Sequence, residues 1–214
     1  MENGKFIVFE GIEGSGKTVQ TKEFYNFILA RGKEAIMTEQ PWEEDAIGRL
    51  IREELKDKTD AISTVTLQFL FIANRSNHVE KLIGPSLKAG KTVIADRYWM
   101  STAAYGSTLS EETGIDMDYF IAIHKVFPKP DILFFIDVDP NTAYERITER
   151  GVQRSINGGV KRERFDKLDT LKLLHHNYKK LEKKYDGLWI NINGNRDKET
   201  INKEIIKRYD ELLK

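Results

Sequence analysis

The octapeptide Gly11-Ile12-Glu13-Gly14-Ser15-Gly16-Lys17-Thr18 constrains this chain more than any other segment, because it fits G-x-x-x-x-G-K-[ST] in full. It follows the apolar run Phe6–Glu10 and opens a helical pattern near Lys17. In that context the glycines let backbone N–H groups turn inward around phosphate oxygens, and the helix N-terminus adds positive potential. Gly11, Glu13, Gly14, Ser15, Gly16, Lys17 and Thr18 are therefore expected to cradle a nucleoside triphosphate. Lys17 is expected to reach its β- and γ-phosphates, and the Thr18 hydroxyl to ligate Mg²⁺.

The remainder of the chain repeats the alternation of short apolar runs with helix-length patterns. Strands are expected at Phe6–Glu10, Ala35–Thr38, Thr92–Asp96, Ile132–Val138 and Leu188–Ile192. The first, third and fourth are apolar on both faces, as buried parallel strands are. Helices are expected at Lys17–Arg31, Ala46–Leu55, Thr64–Leu87, Ser101–Tyr105, Met117–Val126, Pro140–Arg150, Lys167–Tyr185 and Lys198–Leu213. Gly32, Gly90 and Gly151 sit just past such patterns, and Pro140 is placed to start one. The expected fold is α/β of the P-loop NTPase type: a five-stranded parallel sheet flanked by helices on both faces. With 214 residues, no internal repeat and no linker, residues 1–214 read as a single domain.

One segment breaks the rhythm. Residues 150–164 carry Arg150, Arg154, Lys161, Arg162 and Arg164 around Gly158-Gly159, with Glu163 as the single acid. A solvated loop and a short basic lid both fit that composition.

The cradle alone does not separate ATPases, GTPases and kinases. No N-K-x-D follows a later strand, Ser155-Ile156-Asn157-Gly158-Gly159 is not an ABC-type signature, and the chain is short for an AAA-type motor. Lys+Arg and Asp+Glu balance at 34 each, which argues against bulk binding to nucleic acid or a membrane surface. The absence of cysteine excludes disulfides, thiolate nucleophiles and Cys metal sites. No apolar run approaches the ~18 residues of a membrane span. No secretory segment is read before Phe6, so a cytoplasmic protein is expected. His78, His124, His175 and His176 show no metal-ligand spacing and read as structural or surface residues.

A second motif lies at Val93-Ile94-Ala95-Asp96, an apolar run ending in an acid and followed by Arg97 and Tyr98. In a parallel sheet, Asp96 arrives beside the cradle and can hold Mg²⁺ directly or through water. Arg97 can clamp an acceptor phosphate, because a guanidinium fork matches phosphate oxygens. An Asp–Arg pair capping a strand is the plainer alternative. Cradle and pair together point to transfer of the γ-phosphate of ATP onto a small nucleotide.

FIVFEGIEGSGKTVQ, LFIANRSNHV, ADRYWMSTAAY and RERFDKLD, in this order and spacing, resemble the thymidylate kinase (dTMP kinase) family over nearly the whole chain. The resemblance implies ATP and dTMP as substrates, Mg²⁺ as cofactor and a homodimer. It places Glu13 near the acceptor sugar and phosphate, Phe71 stacked on thymine, and Arg75 bonded to the base at O4. It places Thr102 facing the base and Tyr105 crowding the sugar against a 2′-hydroxyl. Phe71 and Arg75 are four apart, so a helix puts them on one face; alone, Phe71 would read as core packing. The family's lid closes arginines over the phosphates. Because Ile12-Glu13-Gly14-Ser15 holds no arginine, the lid is expected to supply the catalytic one beside Lys17 and Arg97, with Arg154 as the choice among Arg150, Arg154, Arg162 and Arg164. The chain departs from the family where R-E-P reads Glu39-Gln40-Pro41, where G-G-T reads Trp42-Glu43-Glu44, and where the Gln after the tyrosine is Gly106. Another nucleoside monophosphate or deoxynucleoside kinase, and a P-loop switch protein, are the competing readings.

Overall fold

The short apolar runs pair into one parallel sheet in a computed structural model that describes residues 4–56, 62–109, 113–156 and 165–213. Strands β1 (Phe6–Glu10), β2 (Ala35–Glu39), β3 (Thr92–Asp96), β4 (Ile132–Asp137) and β5 (Trp189–Asn193) lie in the order β2-β3-β1-β4-β5. The helices of the described residues include α1 (Lys17–Ala30), α2 (Ala46–Lys56), α3 (Thr64–His78), α4 (Gly84–Lys88), α5 (Trp99–Gly106), α6 (Met117–His124), α7 (Pro140–Ile156), α8 (Leu168–Lys184) and α9 (Lys198–Glu211).

Side-chain alternation along each strand sorts the core into two layers. Ile7, Phe9, Ile94, Phe134 and Ile136 pack against Phe24 and Ile28 of α1 and Ile201, Ile205 and Tyr209 of α9. Phe6, Val8, Val93, Leu133 and Phe135 face the other way, onto residues of α5, α6, α7 and α8. Each such side chain stabilises the fold by roughly 1.5–3 kcal/mol through burial. These central strands have no polar face, and every connection must therefore cross over a covered sheet.

Several expected boundaries shift by a residue or two, and three changes stand out. The single helix expected over Thr64–Leu87 is divided: α3 ends at His78, a π-helical turn spans Val79–Ile83, and α4 follows. Pro85 supplies the reason. It lacks an N–H and its ring crowds the preceding carbonyls, so the Gly84 N–H reaches back to the Val79 carbonyl and the turn widens. The helix expected over Ser101–Tyr105 begins earlier, at Trp99. At the third boundary α7 continues through Gly151 to Ile156, so Gly151 ends no helix and residues 150–156 of the expected lid are helical. Residues 157–164, with Gly158, Gly159, Lys161, Arg162 and Arg164, lie outside the described residues, as does the side chain of Arg154. Gly32 and Gly90, by contrast, take the left-handed φ of 71° and 79° expected after a helix.

Among the described residues, no helix is long and apolar enough to cross a membrane. In open parallel sheets, ligands bind beyond the carboxyl ends of the strands. Here the register sets Phe9 beside Asp96, and the ends of β1 and β3 deliver Glu10, Asp96 and Arg97 to one place.

Candidate active site

The cradle leaves β1 at Glu10 and enters α1 at Lys17, with Gly16 as N-cap at φ 89°. Gly14, at φ 80°, passes so close to α7 that a Cβ would lie 2.4 Å from the Ala143 carbonyl oxygen. Only glycine allows both that conformation and that approach. The first N–H groups of α1 have no acceptor within the helix, which leaves them for an anion. The Thr18 hydroxyl donates to Asp96 Oδ2 at 2.5 Å. Asp96 is 7% exposed, and its Oδ1 is buried without a partner among the described residues. A hydroxyl and a carboxylate with an unmatched buried oxygen form a hard donor set of the kind a magnesium ion takes together with substrate oxygens. No group of three His, Cys, Asp or Glu side chains is gathered for a metal among the described residues.

Glu13 stands at the centre of the charges. Its Oε2 accepts from Lys17 Nζ and from Arg97 NH2, each at 3.1 Å, and its Oε1 accepts from Arg150 NH2 at 2.6 Å. Burial alone would raise the carboxyl pKa, but Lys17, Arg97 and Arg150 together hold it well below the usual carboxylate range. A single anion thus gathers three cations from the cradle, the β3 edge and α7. A phosphoryl group carries the same charge in the same kind of place.

Arg97 is in left-handed backbone, φ 70°, the one non-glycine residue so placed among those described. Such a conformation costs on the order of 1 kcal/mol or more and persists only where neighbours over-determine it. Here the Arg97 N–H donates to the Phe9 carbonyl at 2.9 Å. The fully buried Glu10 carboxylate then accepts from the Tyr98 N–H (2.8 Å), the Ser101 N–H (3.1 Å), the Ser101 hydroxyl (2.8 Å) and the Tyr178 hydroxyl (2.8 Å). Ser101 Oγ in turn accepts from Arg97 NH1 at 2.9 Å. Glu10 fastens the turn that presents Arg97, and sequence reasoning passed over it. The signal was present, as an acid ending an otherwise apolar strand.

Glu13, Phe71, Arg75, Arg97, Thr102 and Tyr105 all line one cavity of about 690 Å³, part of it open to solvent. Phe71 is half-buried on its wall, so it is not simply core. The Arg97 guanidinium lies 5.6 Å from the Tyr105 ring centroid, and Phe165 meets that ring edge-on at 5.1 Å. Gln40, one of the departures from the family pattern, lines the same space, as do Arg52, Gln68 and Asp166, which were not expected there.

Arg75 is buried at 1% exposure, and among the described residues its hydrogen bonds go to no carboxylate. Its Nε donates to Gln40 Oε1 (2.8 Å), its NH1 to His124 Nε2 (2.8 Å), and its NH2 to the Tyr98 carbonyl (3.2 Å) and Thr102 Oγ1 (3.0 Å). Burial pushes the guanidinium down to about 10, so it remains charged at neutral pH. Arginine only donates, and that sets the polarity of everything around it. His124 Nε2 must accept, so the ring is neutral with its proton on Nδ1, facing the Phe120 carbonyl at 2.5 Å. Gln40 must turn its oxygen to Arg75 and its nitrogen to His78 Nδ1, 3.2 Å away. His78 Nε2 then donates to Thr38 Oγ1 at 2.8 Å. Both imidazoles are structural, as read from the sequence, but they are also what holds Arg75 in place.

Two of the departures from the family pattern are packing solutions. Trp42 stacks on His78 (centroids 5.1 Å, 6° between planes) and exchanges two hydrogen bonds with Asn74. Gly106 does not line the cavity: a Cβ there would fall 2.3 Å from two Phe120 ring carbons, so α5 and α6 meet across it.

The sequence model of the thymidylate kinase family matches residues 9–205. The probable thymidylate kinase of Thermococcus kodakarensis is 36% identical, the alignment covering 97% of this chain and 98% of that protein. The probable thymidylate kinase of Methanocaldococcus jannaschii is 35% identical, with 96% of each chain covered. The thymidylate kinase of Desulfotalea psychrophila is 30% identical over 99% of this chain and 96% of its own. With a cradle, an Asp–Arg pair and a walled cavity meeting at one sheet edge, and with matches of this extent, the chain belongs to the thymidylate kinase family.

Proposed function

We propose that this protein transfers the γ-phosphate of ATP to the phosphate of dTMP, giving ADP and dTDP. A phosphate oxygen of dTMP bonds to the γ-phosphorus as the bond from that phosphorus to the β–γ bridging oxygen breaks. The observation that carries this reading is that the cavity walls and the cradle share Glu13, which touches Lys17 on one side and Arg97 on the other. Donor and acceptor phosphates would meet there.

Phosphoryl transfer depends on positioning and charge neutralisation more than on covalent help. Lys17 and the α1 N-terminus bind the donor phosphates; Arg97 holds the acceptor phosphate. Phe71 offers a π-face to the base, Arg75 and Thr102 face its edge, and Tyr105 lies against the sugar. Thr18 and Asp96 would hold Mg²⁺, which when bound neutralises charge on the donor phosphates. Arg150 is the lid-side arginine whose guanidinium reaches the cradle among those described, and it joins Arg154 as a candidate for the transferring group. An ionised acceptor phosphate needs no general base.

A homodimer and a basic lid over residues 150–164 belong to the same reading. Leu50 of α2, Phe69 of α3 and Tyr119 of α6 are exposed apolar side chains, the last two in ring contact, and they offer a self-association face. A cytoplasmic location belongs to the same reading, with ATP and a nucleoside monophosphate as its substrates. A coupled assay with dTMP, dUMP, dCMP, GMP and thymidine tests the assignment. Turnover fastest with dTMP is expected; turnover without any acceptor, or preference for a nucleoside, would remove it.

A further inference from the structure

Gln68 lies three residues before Phe71 and seven before Arg75 on α3, so the three share one helix face. Gln68 lines the cavity at 1% exposure. Its Nε2 is buried and without a hydrogen-bond partner among the described residues. A buried amide left unmatched destabilises the free protein, and a ligand that matches it recovers that cost as affinity. Other polar groups on the wall are largely engaged. Arg75 has four hydrogen bonds within the protein, Thr102 already accepts from it, and Gln40 is held between Arg75 and His78.

We propose that Gln68 is a substrate-contacting residue of the acceptor site that recognises the imide edge of a pyrimidine base. Its Oε1 accepts the ring N–H, and its Nε2 donates to a neighbouring carbonyl. This rests on the reading of the acceptor as dTMP. Arg75 can only donate, so a base lying on Phe71 with a carbonyl toward Arg75 still needs an acceptor for its ring N–H. A carboxamide carries donor and acceptor side by side, and rotation about its last torsion chooses their order. The residue therefore contributes affinity for the base, and Arg75 the choice of carbonyl over amine at the base edge.

The test compares wild type, Q68L and Q68M with dTMP and with N3-methyl-dTMP, in which the ring N–H is lost. Removing a matched hydrogen bond remote from the reacting phosphates is expected to raise KM for dTMP about tenfold, with kcat and the KM for ATP little changed. The penalty for N3-methylation should shrink in both variants. A KM for dTMP within about twofold of wild type in a folded variant, or an undiminished methylation penalty, overturns the inference. So does a wild-type enzyme that uses N3-methyl-dTMP as well as dTMP, a result that needs no variant. A wild type inactive on dTMP would instead remove the functional assignment itself.

Discussion

The guanidinium of Arg150 and the carboxylate of Glu13 meet at 2.6 Å, although 137 residues separate them in the chain. Glu13 also binds Lys17 and Arg97, so the carboxylate occupies the centre of a cationic ring that bound phosphates would enter. Arg150→Ala is expected to lower kcat, by roughly 10³-fold if this guanidinium attends the transferring group, with a smaller effect on the KM for ATP. Steady-state kinetics beside Arg154→Ala decide which arginine acts; an unchanged kcat in Arg150→Ala would shift the role along α7 or into the segment that follows.

The neutral imidazoles predict an acid-sensitive fold. Burial, with Arg75 nearby, lowers His78 to about 4 and His124 to about 3, against an ordinary value of about 6.5. The unfolded chain takes up these protons first. The stabilisation is complete above pH about 6.5 and is lost as pH falls toward the folded values, at up to about 1.4 kcal/mol per pH unit for each ring. Urea titrations between pH 7.5 and 5 should show this loss, and His78→Asn should roughly halve the slope. A flat profile across that window would contradict the tautomers deduced from Arg75.

Asp96 has one oxygen on Thr18 and one unmatched among the described residues. Asp96→Asn retains the shape and removes the charge, so the Mg²⁺ concentration for half-maximal rate should rise by an order of magnitude or more, and chelation of divalent ions should stop wild-type turnover. Metal titration at saturating ATP and dTMP measures both. Indifference to chelation would separate the Thr18–Asp96 pair from metal binding.

Gly106→Gln restores the residue usual in the family, yet here it should destabilise by about 1–3 kcal/mol through overpacking. Its Cβ would overlap the Phe120 ring. Thermal unfolding of Gly106→Gln alone and combined with Phe120→Ala checks the cause: the pair should interact favourably relative to the sum of the single changes. Additive losses would show that the ring is not the obstacle.

Much of the site could be read from residue order. The cradle, the acid and arginine closing β3, and the i, i+4 pair Phe71 and Arg75 are local patterns with local mechanisms, and all reach one sheet edge. The extent of α7 was not legible, because Gly151 carries a helix-stop signal, yet it lies buried within the continuous helix. The division of the helix expected over Thr64–Leu87 was partly legible in Pro85, but its π turn was not.

Sequence alone determined the parallel α/β fold and the phosphate cradle, since hydrophobic period and glycine spacing act over a few residues at a time. Only the tertiary structure decided what surrounds Arg75. Gln40, His78, His124 and Thr102 come from separate elements, and their hydrogen-bond polarity follows from one buried donor-only cation. It likewise gathered Lys17, Arg97 and Arg150 on Glu13. Such contacts depend on where distant strands and helices end in space, which no periodicity along the chain encodes.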